Sequence, residues 1–162
     1  MSQTIVEQPT AHYAPGTWNI DTAHTEVGFT VRHMMISKVR GTFTQFNGSV
    51  QAAANPLDSG VEVSVDMASI ATGNAQRDEH LRSTDFFGTA EHPTMTYRAK
   101  GVEVVGDHYR LNGELSLKGT TRVVPVDFEV TGSGPDAYGG LRMGFSGSAE
   151  ISRSDFGVTW NQ

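Results

Sequence analysis

The sequence predicts an all-β fold, a barrel or strongly curved antiparallel sheet with one short inserted helix. Three observations predict it: apolar and polar residues alternate through several segments, turn-forming residues separate these segments, and one segment lacks β-branched residues. Roughly seven or eight long strands joined mostly by short turns suit a single domain of this length. An eight-stranded barrel encloses enough room for packed side chains or for one slender ligand.

Strands make up most of the predicted elements. Successive side chains of a strand point to opposite faces, so a run in which every second residue is apolar indicates one buried face. The cleanest run is Val61, Val63, Val65 and Met67, which follows the turn-forming sequence at 55–60. Further strands are predicted at 27–31, 39–52, 95–105, 109–117, 124–130 and 141–153.

Several irregular segments punctuate these strands. Residues 1–16 are expected to form a flexible arm, because Pro9, Pro15 and Gly16 break regular structure. A short turn is predicted from Met34 to Ser37, and tight hairpins at 106–107 and 118–120. The domain proper is therefore expected to span 17–162.

Within the strand at 39–52, Phe43 and Phe46 lie three residues apart and break the alternation. A bulge near Gln45 would explain the break, as would an outward Phe46 covered by another element.

The helix is predicted at 74–83, where good helix formers replace β-branched residues. Thr72 or Asn74 can cap its N-terminus. Its Leu81, with the phenylalanines that follow at 86 and 87, is expected to form an apolar cluster facing the barrel or its mouth. The charged residues Arg77, Asp78 and Arg82 are expected to pair with neighbours and fix the helix in place.

Composition narrows the classes of function. The absence of cysteine excludes disulfides, thiolate zinc sites and a cysteine nucleophile. A formal net charge of −6 argues against nucleic-acid binding and against a basic patch for anionic membranes. The sequence contains neither a secretory signal nor an apolar stretch of membrane-spanning length, so a cytoplasmic location without an integral membrane segment is expected.

The order of several motifs resembles the YceI-like family, and the match extends from Trp18 to Trp160. Each motif is weak alone, but together and in this order they are specific. The motifs are DTAHTEV at 21–27, VRHMM at 31–35, VRGTF at 39–43, RDEHLRSTDFF at 77–87, GELSLKGTT at 113–121 and SRSDFG at 152–157.

The resemblance implies an extended, eight-stranded antiparallel lipocalin-like barrel. It also implies binding, storage or transport of a polyisoprenoid, an isoprenoid quinone or a related amphiphilic lipid inside the barrel, without catalysis. Family members continue past the sequence FGVTW into a final strand, whereas this sequence stops at Gln162. One sheet edge is therefore expected to lack a partner, and that edge could serve strand addition or a homodimer.

A candidate ligand site follows from the apolar face of the strands and from the polar groups near them. Arg32, His33, Arg40 and His80 could meet a phosphate, quinone or hydroxyl head group. The remaining candidates are apolar or aromatic and are expected to face the ligand chain: Phe29, Val31, Phe43, Met67, Leu81, Phe86, Met95, Tyr97, Leu115, Phe128 and Phe145.

Two alternatives stay open from the residues alone. The protein could be a hydrolase or isomerase acting on such a lipid, with His80 and Asp78 as the acid–base pair. It could instead be a structural or interaction protein whose interior is filled by side chains. A Ser83–His80–Asp85 triad is disfavoured, because no strand–turn–helix serine motif accompanies it. None of the six histidines shows metal-ligand spacing, so neither a metal nor a conventional cofactor is expected.

Overall fold

The computed structural model describes residues 13–33 and 37–159, and it confirms the all-β class. One α-helix lies among the strands of the described part, α1 at Ala75–Arg82. The strands are β1 Gly16–Asn19, β2 Val27–His33, β3 Ser37–Phe43, β4 Phe46–Ala52, β5 Gly60–Asp66, β6 Ile70–Ala71, β7 Thr94–Lys100, β8 Glu103–Val105, β9 His108–Leu117, β10 Thr120–Pro135 and β11 Leu141–Ser148. Short 3-10 turns occur at Pro56–Asp58, Met67–Ser69 and Arg153–Phe156.

The strands form two antiparallel sheets. The larger sheet has the order β1-β4-β5-β7-β9-β10-β11, with β8 paired to β9, and the smaller has the order β2-β3-β6. Strand pairing therefore follows the chain order closely from β4 onward, as hairpin connections produce. The strand number in the described residues is higher than predicted, because several short strands escape the alternation pattern.

Alternation sets one inner face across the large sheet. Val65 pairs with Phe46 on one side and with Met95 on the other, so apolar side chains of three strands stack in a row. Half of the buried core cluster lies on strands of this sheet: Val65, Leu115, Leu117 and Val124. The other half comes from the small sheet and the 3-10 turns: Phe43, Ile70, Met67 and Phe156.

The predicted long strand at 39–52 is wrong in one respect, because it breaks into β3 and β4, which belong to different sheets. At the corner, the backbone amides of Thr44 and Gln45 donate to the carbonyl and the hydroxyl of Ser69, at 3.2 and 3.1 Å. The two-residue corner resets the alternation. Phe43 is thus buried in the core and Phe46 packs against it, although they lie three apart in the sequence.

Other boundaries also differ from the predictions. The strand predicted at 95–105 divides at Gly101, whose φ of 88° turns the chain between β7 and β8. The last strand ends at Ser148 instead of 153, and the following 3-10 turn returns Phe156 to the core, where it is 1% exposed. The turn predicted at 34–37 lies outside the described residues apart from Ser37, which begins β3. The predicted N-terminal arm lies outside them up to residue 12.

The predicted helix is confirmed, as is its cap. The side-chain oxygen of Asn74 accepts from the backbone N–H of Arg77 at 3.0 Å. Leu81 and Phe87 pack against the core from the end of the barrel that the helix covers. The helix therefore closes one end of the interior.

The large sheet curls so that its two ends approach each other. Asp21, two residues after the end of β1, forms an ion pair with Arg142 of β11. In the described part of the chain, no backbone ladder joins β1 to β11. The molecule is thus a curled half-barrel whose ends are linked through side chains.

Candidate functional site

An aromatic and aliphatic surface covers the inner face of β9, β10 and β11, away from the helix. Tyr109 pairs with Phe128, and Val130 pairs with Phe145, which places these side chains on the same face as the core. We call this surface the inner apolar face and define it as Tyr109, Leu111, Val126, Phe128, Val130, Leu141, Met143 and Phe145.

Three aromatic rings form a continuous stack on the inner apolar face. The Tyr109 and Phe128 ring centroids lie 5.4 Å apart in a stacked arrangement, and those of Phe128 and Phe145 lie 5.9 Å apart edge to face. Both geometries are favourable for aromatic pairs. Tyr109 is buried, whereas Phe145 is 51% exposed, so the stack runs from the covered interior to open solvent.

The interior has a packed half and an open half. Near α1, the predicted ligand residues Phe43, Met67 and Leu115 are buried in the core by other side chains. Toward β11, Leu141 and Phe145 keep 41% and 51% of their surface exposed although they point inward. Large apolar side chains exposed on an inner face indicate a site that another molecule can cover.

The predicted site residues fall into separate groups. Phe29, Leu81, Met95 and Tyr97 are half-buried and pack against the core, whereas Phe128 and Phe145 come together on the inner apolar face. Val31 is half-buried and pairs with Val39 of the neighbouring strand β3. The other members of the inner apolar face are not among the predicted site residues. Alternation within β9 and β10 could have identified three of them: Tyr109, Leu111 and Val126.

The predicted head-group residues lie on three elements, β2, β3 and α1. Arg40 is exposed and pairs with Thr30, on the face of β3 opposite to Phe43. Arg32 and His33 belong to β2, but their side chains lie outside the described part. His80 lies on α1, near the packed half. A role for these residues at a ligand head group stays a prediction.

The surroundings of His80 bear on the alternative of an enzyme. Its Nε2 lies 2.9 Å from a carboxylate oxygen of Asp85, and its ring stands edge-on to Phe86 at 5.0 Å. The Ser83 hydroxyl donates to the backbone carbonyl of His80 at 2.5 Å rather than to the imidazole. The Asp78 carboxylate accepts two hydrogen bonds from Thr72, so its bonding is structural.

Charged residues hold the helix in place, as predicted. They also join the two ends of the large sheet, at a place that we call the seam, where Asp21 pairs with Arg142. Arg77 donates to the carbonyl and hydroxyl of Thr72, and Arg82 lies 3.4 Å from the carbonyl of Ala68. At the seam, hydrogen bonds from Arg142 and then His24 hold the pKa of the Asp21 carboxyl well below its usual range.

The outer face of the sheet is polar. Two shallow depressions of about 320 and about 410 Å³ lie on it. Their linings include Asn19, Asn47, Ser64, Thr96 and Arg98, which suit water better than an apolar chain. In the described residues, no group of acidic or histidine side chains is arranged to hold a metal ion, and no helix is long and apolar enough to cross a membrane.

A curled antiparallel sheet around an apolar inner face, closed at one end by a helix, defines a protein of the lipocalin-like half-barrel class. Comparison with known proteins gives the family. The model of the YceI-like domain matches residues 18–162, and the chain belongs to that family. The resemblance seen in the motifs is thus confirmed.

Relatives and solved structures agree with this assignment. The chain is 40% identical over 137 residues to a UPF0312 protein of Azotobacter vinelandii, covering 83% of this chain and 71% of the relative. The crystal structure of the Campylobacter jejuni YceI protein has a TM-score of 0.69 at 31% identity, covering 85% of this chain and 82% of that one. A polyisoprenoid binding domain from Saccharophagus degradans has a TM-score of 0.56 at 17% identity, over 72% and 68% of the two chains, and this likeness concerns the fold.

Proposed function

We propose that the protein binds the chain of a long apolar lipid on its inner apolar face, as a carrier or store rather than an enzyme. The ligand class is a polyisoprenoid, an isoprenoid quinone or a related amphiphilic lipid. The observation that carries the proposal is the exposure of inward-pointing Leu141 and Phe145, at 41% and 51%, in continuity with the buried ring of Tyr109.

The energetics favour a chain-like ligand. Each Å² of apolar surface removed from water contributes about 25 cal/mol, so covering several exposed aromatic and aliphatic side chains yields useful affinity without any special chemistry. A stacked row of rings suits an extended chain, because contact is available along its whole length. The solved neighbour from Saccharophagus degradans is described as polyisoprenoid binding, which is compatible with such a ligand.

The chemistry of the inner apolar face favours binding over catalysis. Its members are aliphatic or aromatic, and its titratable group is the Tyr109 phenol, whose pKa is raised by burial. A neutral phenol is a poor general base at neutral pH. His80 and Asp85 lie on and just after α1, toward the packed half of the interior.

Mass spectrometry of the protein purified without added lipid tests the proposal, together with a titration using cis-parinaric acid, whose polyene fluorescence rises in apolar surroundings. We expect a co-purified lipid or saturable probe binding, and about tenfold weaker probe binding for Phe145→Ser, since burial of such a side chain contributes about 1.5–3 kcal/mol.

The matched control is Val123→Ser. Val123 is 65% exposed on the same hairpin, but it pairs with Glu114 on the outer face. This variant should bind like the wild type. An apo spectrum together with no probe or polyprenol uptake would contradict the proposal, as would equal losses in both variants. Turnover of a bound lipid that is lost in His80→Ala would instead favour the enzyme.

A further inference from the structure

The outer half of the β10–β11 hairpin is almost free of charge. From Val130 to Ala149 the sequence holds a single acid, Asp136, and a single base, Arg142. Arg142 lies between two carboxylates, because it is paired with Asp21 and its Nε lies 3.9 Å from Asp136 Oδ2. In a protein whose formal net charge is −6, this segment therefore has a formal net charge of zero.

The tip of this hairpin, residues 135–141, is a built structure. One carboxylate oxygen of Asp136 accepts from the backbone amides of Tyr138 and Gly140, both at 2.8 Å. The Asp136 amide in turn donates to the Gly140 carbonyl at 2.8 Å, and Gly139 adopts a φ of 87°. This bonding fixes a tight loop in which Tyr138 is 92% exposed.

The tip is continuous with the inner apolar face. Leu141 begins β11, and Met143 and Phe145 follow it on the same side of the strand, because side chains two apart share a face. Phe145 contacts Phe128, which stacks on Tyr109. An apolar track thus leads from the exposed tip to the covered interior.

We propose that this hairpin tip docks on the interfacial region of a zwitterionic lipid bilayer, and that the ligand chain passes between membrane and protein along β11. The proposal rests on the proposed function, because a long isoprenoid-like ligand dissolves in membranes and not in water. Tyr138 would lie among the lipid head groups, with Leu141 just below them.

The charge and the residue types of the hairpin favour a zwitterionic lipid bilayer over other partners. Tyrosine has an apolar ring and a polar hydroxyl, and it is enriched at the boundary between membrane and water. With one acid and one base, the segment 130–149 has no net positive charge to attract anionic lipids, whose surface repels the acidic remainder of the protein. Within residues 135–141 the one charged side chain is Asp136, and the backbone amides of Tyr138 and Gly140 already donate to its carboxylate, which offsets part of the cost of moving it out of water.

Co-flotation of the full chain with phosphatidylcholine vesicles tests the docking. We expect saturable binding that is insensitive to salt and is not strengthened by adding phosphatidylserine. Tyr138→Ser should reduce the partition coefficient about tenfold, as expected for removing one buried aromatic side chain. Leu141→Ser should also reduce it, whereas Val123→Ser, the exposed apolar control on the outer face, should not.

Transfer of cis-parinaric acid from vesicles gives the second measurement. Tyr138→Ser should slow transfer while leaving the affinity for detergent-dispersed probe unchanged, because Tyr138 lies outside the inner apolar face. If the wild type did not bind detergent-dispersed cis-parinaric acid, the proposed function itself would be contradicted. Intact probe binding with no vesicle binding, or with equal vesicle binding by all variants, would overturn the docking alone. A wild-type dimer that Tyr138→Ser dissociates would also overturn it, by making the tip a surface between copies.

Discussion

At the scale of single residues, close packing between the strands of the small sheet is set by Gly41. A Cβ at this position would lie 2.4 Å from Cζ of Phe29, so the ring occupies the space that a side chain would need. The Phe29 ring in turn lies 5.5 Å from that of Phe43 in the core. The glycine is thus required by close approach and not by an unusual backbone angle.

We expect Gly41→Ala to destabilise the protein by about 1–3 kcal/mol, because overpacking displaces a ring that cannot shorten. Urea unfolding followed by circular dichroism measures this. Gly132→Ala is the matched control, since Gly132 also lies in a strand but has no atom within 4 Å of the added Cβ. Equal stability of the two variants would show that the Phe29 ring moves aside freely.

At the scale of elements, α1 is attached through a small polar network. Asp78 accepts from the amide and the hydroxyl of Thr72, at 2.9 and 2.5 Å, and Arg77 donates to the Thr72 hydroxyl at 2.8 Å. Thr72 directly follows β6, so the network connects the helix to the small sheet. The helix has no fully buried residue, which makes this polar attachment important.

Asp78→Ala should therefore lower the free energy of unfolding by about 1–2 kcal/mol, because the Thr72 amide loses its acceptor. Thermal denaturation checks the value, and hydrogen exchange should show faster exchange in α1. The control is Glu79→Ala, which removes a neighbouring carboxylate at an exposed position of the same helix. A similar loss in both variants would assign the effect to helix charge instead of to the network.

The helices and strands also show which structural features the sequence alone can predict. The alternation of Val61, Val63 and Val65 predicts β5 and its inner face, and the capping residue Asn74 predicts the start of α1, because both signals are local. Alternation says which residues share a face, but it does not say which sheet receives a strand. At 44–45 the sequence accordingly predicts a bulge or an outward Phe46, and the structure has a corner between two sheets instead.

The same limit applies to the site. Phe128 and Phe145 were predicted to face the ligand, and they do contact each other. Phe43 and Met67 follow the same pattern but are buried in the core cluster, which also contains Phe156 from a segment without periodicity. Which half of the interior stays open therefore depends on packing between residues far apart in the sequence, and a local sequence pattern cannot predict such packing.

At the scale of the whole molecule, the curled sheet depends on its seam. Asp21 and Arg142 are 121 residues apart in the sequence, and their ion pair joins the ends of a sheet that no described backbone ladder closes. His24 lies 2.8 Å from the same carboxylate oxygen. Because both side chains are partly exposed, the pair contributes more to position than to total stability.

The seam should consequently loosen in acid. The folded-state pKa of Asp21 lies below its unfolded value, so the pair contributes fully above the ordinary aspartate pKa of about 3.9 and is lost as the pH falls through the folded value. Asp21→Asn should remove the interaction at all pH values. Near neutral pH, we expect faster hydrogen exchange at the start of β11 in this variant than in the wild type.

The comparison at matched pH isolates the carboxylate from the intrinsic pH dependence of exchange. The difference between variant and wild type should shrink as the pH approaches the folded-state pKa of Asp21, because the wild type then also carries an uncharged side chain. Asp58→Asn, at an exposed aspartate without an ion pair to other described residues, should behave like the wild type throughout. If the difference in exchange rate between Asp21→Asn and the wild type were the same at every pH, the shape of the Asp21 side chain, and not its charge, would hold the two ends of the sheet together.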